Sequence, residues 1–407
     1  MEVLYPRCAG LDVHKDLVVA CARIARGREV RRELAEFGTT SRELLRLVEW
    51  LAARKVTHVA MESTGVYWKP VWHLLEGHFQ LILGNSKQMR HVPGRKSDQV
   101  DASWIADLLA HGLVKPSFVP PPAIQELRDL TRTRKQLIRE RARHVQRVQK
   151  TLDAVNVKIS SVLTDIMGVS GRRILAAILE GEENPQRLAA LAHPSVKTPR
   201  EKIAEALSGR ITQHHRFMLG LHLRQIDALD EEVRGLEARI ERLLEPFRPL
   251  VENLCTMPGV KKDAAAAILA EIGTDMSVFP NDDHLVSWSG ISPGLNESAG
   301  KKKGSRTKRQ RWLKATMTQC AWAATHKRDS FLSARYYRIR SRRGKTKAVL
   351  AVANSMLRAI YHMIEQGVSF HDLGPDYFDR QYKERNAHRL LRRLESLGYQ
   401  VELRTAA

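Results

Sequence analysis

The run Lys115-Pro116-Ser117-Phe118-Val119-Pro120-Pro121-Pro122 divides this chain into two parts that must fold differently. Proline fixes φ near −65° and has no N–H, so neither a helix nor a central strand continues through the cluster. Beyond it, Leu130 and Leu137, then Ile138, Val145 and Leu152, and Val148 and Val155 recur at sevens, while Arg132, Arg134, Lys135, Arg139, Arg141, Arg143 and Arg147 cover the remainder. A second long helix, Leu219 to Leu244, carries Ile226, Leu229, Val233, Leu236, Ile240 and Leu243 at alternating steps of three and four. Such a stripe predicts a coiled-coil seam, pairing the two helices either within one chain or between two.

Before the proline cluster the periods are different. Ala9 to Val13, Leu17 to Ile24 and Val30 to Phe37 read as a meander closed by a turn at Gly27. Ser41 to Arg54 is an amphipathic helix with Leu44, Leu45, Val48 and Leu51 on one face. Val56 to Met61 and Phe79 to Leu83 are further strands, separated by a helix over Tyr67 to Glu76. Strands first, then alternating strand and helix, predict an α/β layer of the ribonuclease H type, so the fold class is α/β plus all-α. The expected divisions are 1–115 for that layer, 116–250 for the linker and coiled coil, 251–370 for a mainly helical domain, and 371–407 for a helical tail.

Lys and Arg number 67 against 45 Asp and Glu, a formal net charge of +22. That excess points to a polyanion, nucleic acid rather than a membrane surface, because no lone amphipathic basic helix stands out. Cys8, Cys21, Cys255 and Cys320 are scattered without metal-ligand spacing, which predicts free thiols and neither a zinc site nor disulfides. Met1 to Gly10 lacks the apolar core of a signal peptide, and no apolar run approaches a membrane span, so a soluble cytoplasmic, nucleoid-associated protein is expected.

Carboxylates carry the chemistry. Asp98, Asp101, Ile105 and Leu108 fall at steps of three, four and three, which puts two acids on the face of a helix that meets the core. Two like charges there oppose folding unless a cation neutralises them, and they suit Mg2+ or Mn2+. The alternative is a Ser97 N-cap followed by acids that complement the helix dipole. Asp12, inside an apolar strand, and Glu62, at the end of a later one, favour the metal. A strand acid, a strand-end acid and two helix acids form a set that can hold metal ions for phosphodiester chemistry.

The second half carries the cations. From Lys301 to Lys347 there are seventeen Lys and Arg and one acid, Asp329. A solvated face would mix signs, so this stretch, with Lys301, Lys302, Lys303, Arg306, Lys308, Arg309 and Arg311 at its head, predicts phosphate contact. Trp312, Trp322, Tyr336 and Tyr337 are interleaved; helical spacing assigns Trp312 and Trp322 to the core. Gly168 to Leu179 echoes Gly259 to Leu269, and the second copy, Met257-Pro258-Gly259-Val260-Lys261-Lys262, has the form of a helix-hairpin-helix turn. Its backbone N–H groups meet a phosphate, or the turn simply packs two helices. A serine in the glycine-rich stretch Ser292 to Gly300 is a possible nucleophile, although Ser and Gly are ordinary loop residues.

The motifs GLDVHKD, AMESTGVYW, KSDQVDASWIADLLAHGL, MPGVKKDAAAAILAEIG and GISPGLNESAGKKKGSRTKRQRWL together resemble the insertion-sequence one-hundred-ten family of transposases and the related Piv-type DNA invertases. The resemblance runs over nearly the whole chain. It implies an N-terminal RuvC-like domain with an Asp-Glu-Asp-Asp set, matched here by Asp12, Glu62, Asp98 and Asp101. It also implies a coiled-coil connection and a C-terminal domain with an essential serine, matched by Ser298, with Ser292 and Ser305 its neighbours. Members commonly have glycine directly after that serine, whereas Ala299 follows here. The implied activity is DNA recombination through a phosphoserine, with Mg2+ on the acids and Lys261, Lys262 and the basic segment on nucleic acid. The implied partners are DNA (element ends and target), a structured bridge RNA, and further copies of the chain in a dimer or tetramer sharing a composite site. A metal-dependent nuclease or junction resolvase would need the acids but not the serine, and a non-catalytic nucleic-acid organiser would need neither.

Overall fold

In the computed structural model the chain divides into two compact units, Met1–Val119 and Pro120–Ala407. Residues 2–63, 65–84, 98–292, 294–298, 301–305 and 312–400 are described, with backbone alone for 98–100, 294–298, 301–305, 384–386 and 389.

The first unit is a sheet with helices on both faces. Strands β1 (Arg7–Val13), β2 (Leu17–Arg26) and β3 (Glu29–Gly38) form the antiparallel meander, turning between β2 and β3 at Gly27 with φ 61°. Helix α1 (Ser41–Ala53), β4 (His58–Glu62), α2 (Trp68–Leu75), β5 (Gln80–Gly84) and α3 (Asp98–Ala110) follow. The strand order is β3-β2-β1-β4-β5, with β1, β4 and β5 parallel. This mixed α/β layer fits the RuvC-like expectation. The outer edge of β5 is covered by the proline run itself, through a bridge between Gly84 and Pro116.

Side chains alternate across the pleat, which separates two cores. Ala9, Leu11, Val13, Val59 and Met61 point to one face, where Leu44, Leu47, Val48 and Leu51 of α1 and Val71 and Leu75 of α2 cover them. Leu45, expected on this face, is half exposed; Leu47, on the opposite edge of the same stripe, is buried in its stead. Cys8, Gly10 and Ala60 point to the opposite face, under Ile105, Leu108 and Leu109 of α3. There α3 runs antiparallel to β1. Its last carbonyl, Ala110, accepts hydrogen bonds from Leu4 and Tyr5 N–H at 2.9 and 3.2 Å. Asp107 ties it to the meander, accepting from Arg23 at 2.8 Å and Arg32 at 3.0 Å.

The second unit is mostly helical. The long helices α4 (Pro122–Ala154) and, after α5 (Ile159–Val162), α6 (Val169–Glu180), α7 (Pro185–Ala190) and α8 (Arg200–Leu207), α9 (Gln213–Leu244) pair antiparallel within the one chain. The ion pairs Arg141–Asp230, Arg134–Glu237 and Arg239–Glu126 run down the pair in opposite sequence directions. Its far end is buried by α6 and α8, around Val148, Leu152, Ile174, Ile203 and Ile226. Midway the seam opens, and Ile138 is 39% exposed.

The rest comprises α10 (Arg248–Cys255), α11 (Lys262–Ile272), α12 (Asp282–Ser289), the hairpin β6 (Gly294–Ser298) and β7 (Lys301–Ser305), α13 (Trp312–Ala324), α14 (Phe331–Arg343), α15 (Lys345–Gln366), α16 (Tyr377–Gln381) and α17 (Lys383–Glu395). Glu271 of α11 is buried and locked to α4, taking both Arg132 nitrogens at 2.8 Å, while Arg128 donates to the Ala270 and Glu271 carbonyls. Paired and hydrogen-bonded on every side, this is the arrangement in which a buried charge is tolerated.

The glycine echo does not carry into the backbone. Gly168 directly precedes α6 with φ −74°, whereas Gly259 has φ 82° and lies three residues before α11. A Cβ on Gly259 would stand 2.2 Å from the Cys320 carbonyl oxygen and 2.7 Å from the Ala324 nitrogen, so this glycine serves the close packing of the turn on α13.

Gly10 is the corresponding contact of the first unit: a Cβ there would lie 2.2 Å from Ala102 O and 2.4 Å from Ala106 N, both backbone atoms of α3. Gly10→Val is expected to lower unfolding stability by about 3 kcal/mol, the upper end for overpacking, because backbone cannot step aside as a side chain would. Urea denaturation of the full chain, with Ala9→Gly as a control on the other face, measures it.

Candidate functional site

The acids follow from the register. In the parallel ladder Gly10 pairs with Ala60 and Leu11 with Met61, so the next step brings Asp12 level with Glu62 at the ends of two neighbouring strands. Period-two alternation points Asp12 to the side of Gly10 and Glu62 to the side of Ala60, the face that α3 covers. Ala102 and Ala106 of α3 stand over Gly10, and four helical residues rise about 6 Å, which is close to two strand residues. The first turn of α3, where Asp98 and Asp101 sit, is therefore level with Asp12.

The electrostatics agree with that placement. Burial pushes the Asp12 carboxyl above the usual carboxylate range, and the neighbouring charges of Asp101 and Glu62 push it the same way. His14 opposes them, its Nε2 donating to Asp12 Oδ2 at 3.0 Å. Sequence reasoning passed over His14, although its place two residues beyond Asp12 puts it on the same side of an extended chain. Asp101 is exposed, which corrects the expectation of a charge turned into the core: Ile105 and Leu108 on its face are buried, but the turn carrying Asp101 reaches the strand ends. The Asp98 side chain lies outside the described residues. Among the described residues no group of three or more His, Cys, Asp or Glu is close enough to hold a metal by itself. Asp12, Glu62 and Asp101 nonetheless offer carboxylate oxygens, with His14 beside Asp12 among the described residues, a set whose chemistry fits a hard divalent cation.

Ser298 closes β6, its backbone opposite Lys301; Glu297 stands opposite Lys302 and Asn296 opposite Lys303. The side chains of Ser298, Ser305, Lys301, Lys302 and Lys303, and all of Arg306, Lys308, Arg309 and Arg311, lie outside the described residues. Ser292 is described, and its Oγ accepts from Asn354 Nδ2 at 3.3 Å.

Lys261 and Lys262 line a cavity of about 1090 Å3 together with Arg134, Lys135, Arg139 and Lys327. The cavity belongs to the second unit, between the long helical pair, the Gly259 turn and α13. Lys262 is paired with Glu241 and Arg134 with Glu237 and Asp263. Burial lowers the affinity of the Lys135 amine for its proton, and that amine donates to Thr316 Oγ at 3.3 Å.

Trp322 departs from its expected place. It is 47% exposed rather than in the core, whereas Tyr336, on the next helix, is buried. Trp312 is half-buried, with the guanidinium groups of Arg132 and Arg139 each 5.6 Å from its ring centre. All four cysteines are free thiols, with Cys255 alone exposed. Among the described residues no helix is long and apolar enough to cross a membrane.

Both units carry transposase domains. Residues 9–157 match the model of a DEDD-type IS110 domain described as "Transposase", and residues 251–338 match one described as "Transposase IS116/IS110/IS902 family". Between them the matches run over more than half of the chain, which belongs to the IS110 family of insertion-sequence transposases. It is 33% identical over 154 residues to "Insertion element IS110 uncharacterized 43.6 kDa protein" of Streptomyces coelicolor, a stretch covering 37% of each chain and so well under two thirds of that relative. It is 22% identical over 305 residues to "Putative transposase y4rJ" of Sinorhizobium fredii, covering 67% of each.

The raised Asp12 carboxyl has a definite sign. Its folded value lies above its unfolded one, so ionised Asp12 opposes folding at neutral pH, and that opposition fades as pH falls through the folded value. Asp12→Asn is therefore expected to raise Tm by a few degrees at pH 7 to 8 in metal-free buffer. The gain should shrink towards pH 4, as scanning calorimetry across that range will show.

Proposed function

We propose that this chain is a recombinase that cuts and rejoins DNA through a covalent seryl intermediate, with Asp12, Glu62, Asp98 and Asp101 as ligands of Mg2+ or Mn2+. The observation that carries the reading is the convergence of Asp12 and Glu62 on adjacent parallel strand ends beneath the first turn of α3, in a chain with transposase domains in both units.

The carboxylates of Asp12, Glu62 and Asp101 raise one another's cost at the strand ends, and hard oxygen ligands are what phosphodiester chemistry uses to hold a divalent ion. When bound, such an ion supplies Lewis-acid stabilisation to the charge on the phosphate and lowers the pKa of a hydroxyl near it. The protein's own part is the nucleophile. Ser298 Oγ bonds to phosphorus as the bond from phosphorus to a sugar oxygen breaks; the seryl proton ends on that departing oxygen. The second strand's sugar hydroxyl then reverses the step, rejoining DNA and releasing the serine. Conserving the phosphodiester energy in the phosphoserine makes rejoining possible without a further energy source. Lys301, across the ladder from Ser298, and the cations that follow it, through Lys302, Lys303, Arg306, Lys308, Arg309 and Arg311, attract the phosphates. Lys261 and Lys262 add to that field from the Gly259 turn.

DNA ends and target are the substrates in this reading, a bridge RNA encoded by the element is the guide, and a dimer or tetramer is the working form. Those three rest on family membership.

The reading is tested with a labelled duplex of the element's end, incubated with protein, RNA transcribed from the element and Mg2+, and resolved on denaturing gels. Wild type should yield a protein–DNA adduct. Ser298→Ala should abolish the adduct, while Asp12→Asn and Asp101→Asn should lower cleavage by at least a hundredfold, and all three should retain DNA binding. Cleavage by Ser298→Ala at the wild-type rate would make the chain a hydrolytic metal-dependent nuclease.

A further inference from the structure

The aromatic surface at the end of α13 and on α14 is not used by the chemistry above. Trp322 is 47% exposed and Tyr337 56% exposed. They are joined through Tyr336, which is buried and meets both edge-on: its ring centre is 6.2 Å from Trp322 at 83°, and 5.2 Å from Tyr337 at 71°. His326 meets Trp322 in the same way, at 5.1 Å and 83°. Neither neighbour lies flat on the indole. Its environment therefore fixes the ring without covering it by a parallel stack, which is what a stacking platform needs.

The charged residues near it in sequence are, but for Asp329, of one sign. The Arg340 guanidinium sits 5.8 Å from the Tyr337 ring centre and 6.0 Å from that of Tyr336. Lys327, Arg328, Arg342 and Arg343 are exposed nearby in sequence on the same two helices and the turn between them, and Asp329 is the one acid of the stretch. Arg340 and these four cations make no ion pair with any described residue. A face meant only for water mixes both signs and pairs them. Exposed aromatics held on edge near cations that have no ion pair among the described residues match the two things a nucleic-acid strand offers once it is unpaired, a base face and a phosphate. A duplex offers only the second.

We propose that Trp322 and Tyr337 form a stacking platform for unpaired bases of a single-stranded nucleic acid, with Arg340 and its neighbours on the flanking phosphates. The proposal rests on the reading of the chain as a nucleic-acid enzyme and adds which part grips an unpaired strand. The strand is DNA opened at a junction or an RNA loop; the chemistry of recognition is the same.

Binding of the full chain to fluorescent oligonucleotides of about 12 nucleotides tests it, with oligo-dT, oligo-U and a DNA duplex measured over a range of salt. Trp322→Ala and Tyr337→Ala are each expected to weaken single-strand binding at least fivefold, with the duplex changed less than twofold and the salt slope unaltered, because no phosphate contact is removed. Trp322→Leu, which keeps apolar bulk without an aromatic face, should behave as alanine does, and Trp322→Phe should restore most of the affinity. Arg340→Gln should reduce the salt slope by about one. A larger loss on oligo-U assigns the strand to RNA, and on oligo-dT to DNA; either supports the platform. Unchanged single-strand affinity, or equal losses on single strand and duplex, overturns it. So does a variant that loses self-association while single-strand binding stays intact. The adduct assay with Ser298 is read separately, so the platform and the seryl mechanism fail independently.

Discussion

The close seat of α3 on β1 is the contact on which the first unit's chemistry depends. Gly10 has no side chain, and Ala102 and Ala106 bring the helix backbone within the distance at which any Cβ would collide. That intimacy fixes the helix along its axis as well as against the sheet, because the Ala110 carbonyl is held by Leu4 and Tyr5 at one end and Asp107 is held by Arg23 and Arg32 at the side. Asp101 is thereby delivered to the level of Asp12 by packing alone. The site is then a consequence of helix rise against strand rise: four residues of α3 span about two residues of β1.

The like charges gathered there explain a second property. The Asp12 carboxyl, raised by burial and by the charges of Asp101 and Glu62, is a local source of instability, and it costs least where the strands end and water can reach it. The exposed position of Asp101 is part of that compromise. The second unit solves the converse problem. Arg128 and Arg132, packed against α11, are offset by Glu271, whereas Arg340 on the surface makes no ion pair among the described residues.

Much of this was legible in the residues. The strands and the break at Lys115 to Pro122 followed from period two and proline chemistry, and the acids stood out because Asp12 interrupts an apolar strand. What the sequence could not fix was orientation within a correctly placed element. Leu45 and Leu47 both belong to an amphipathic pattern, and only packing against the sheet selects Leu47. Trp322 was assigned to the core on helical spacing, but the space beneath α13 is filled by Met317, Cys320, Ala321 and the buried Tyr336, leaving the indole at the surface. The echo between Gly168 and Gly259 was a likeness of letters: one precedes a helix directly, the other makes a left-handed turn against α13. Whether the long helices paired within a chain or between chains was undetermined by a heptad pattern, which is the same for both; in this structure ion pairs from Arg141 to Asp230 and from Arg134 to Glu237 join the two helices of one chain.

The central claim is that Asp12, Glu62 and the first turn of α3 make one metal-binding cluster. Titration of the full chain with Mn2+, followed by the loss of its free-ion electron paramagnetic resonance signal, tests it most directly. The account predicts saturable binding that Asp12→Asn, Glu62→Gln and Asp101→Asn each weaken at least tenfold, while Asp153→Asn, at an acid of the second unit paired with Lys158, leaves it unchanged. Mn2+ binding of wild-type strength in the Asp12 and Glu62 variants would contradict it.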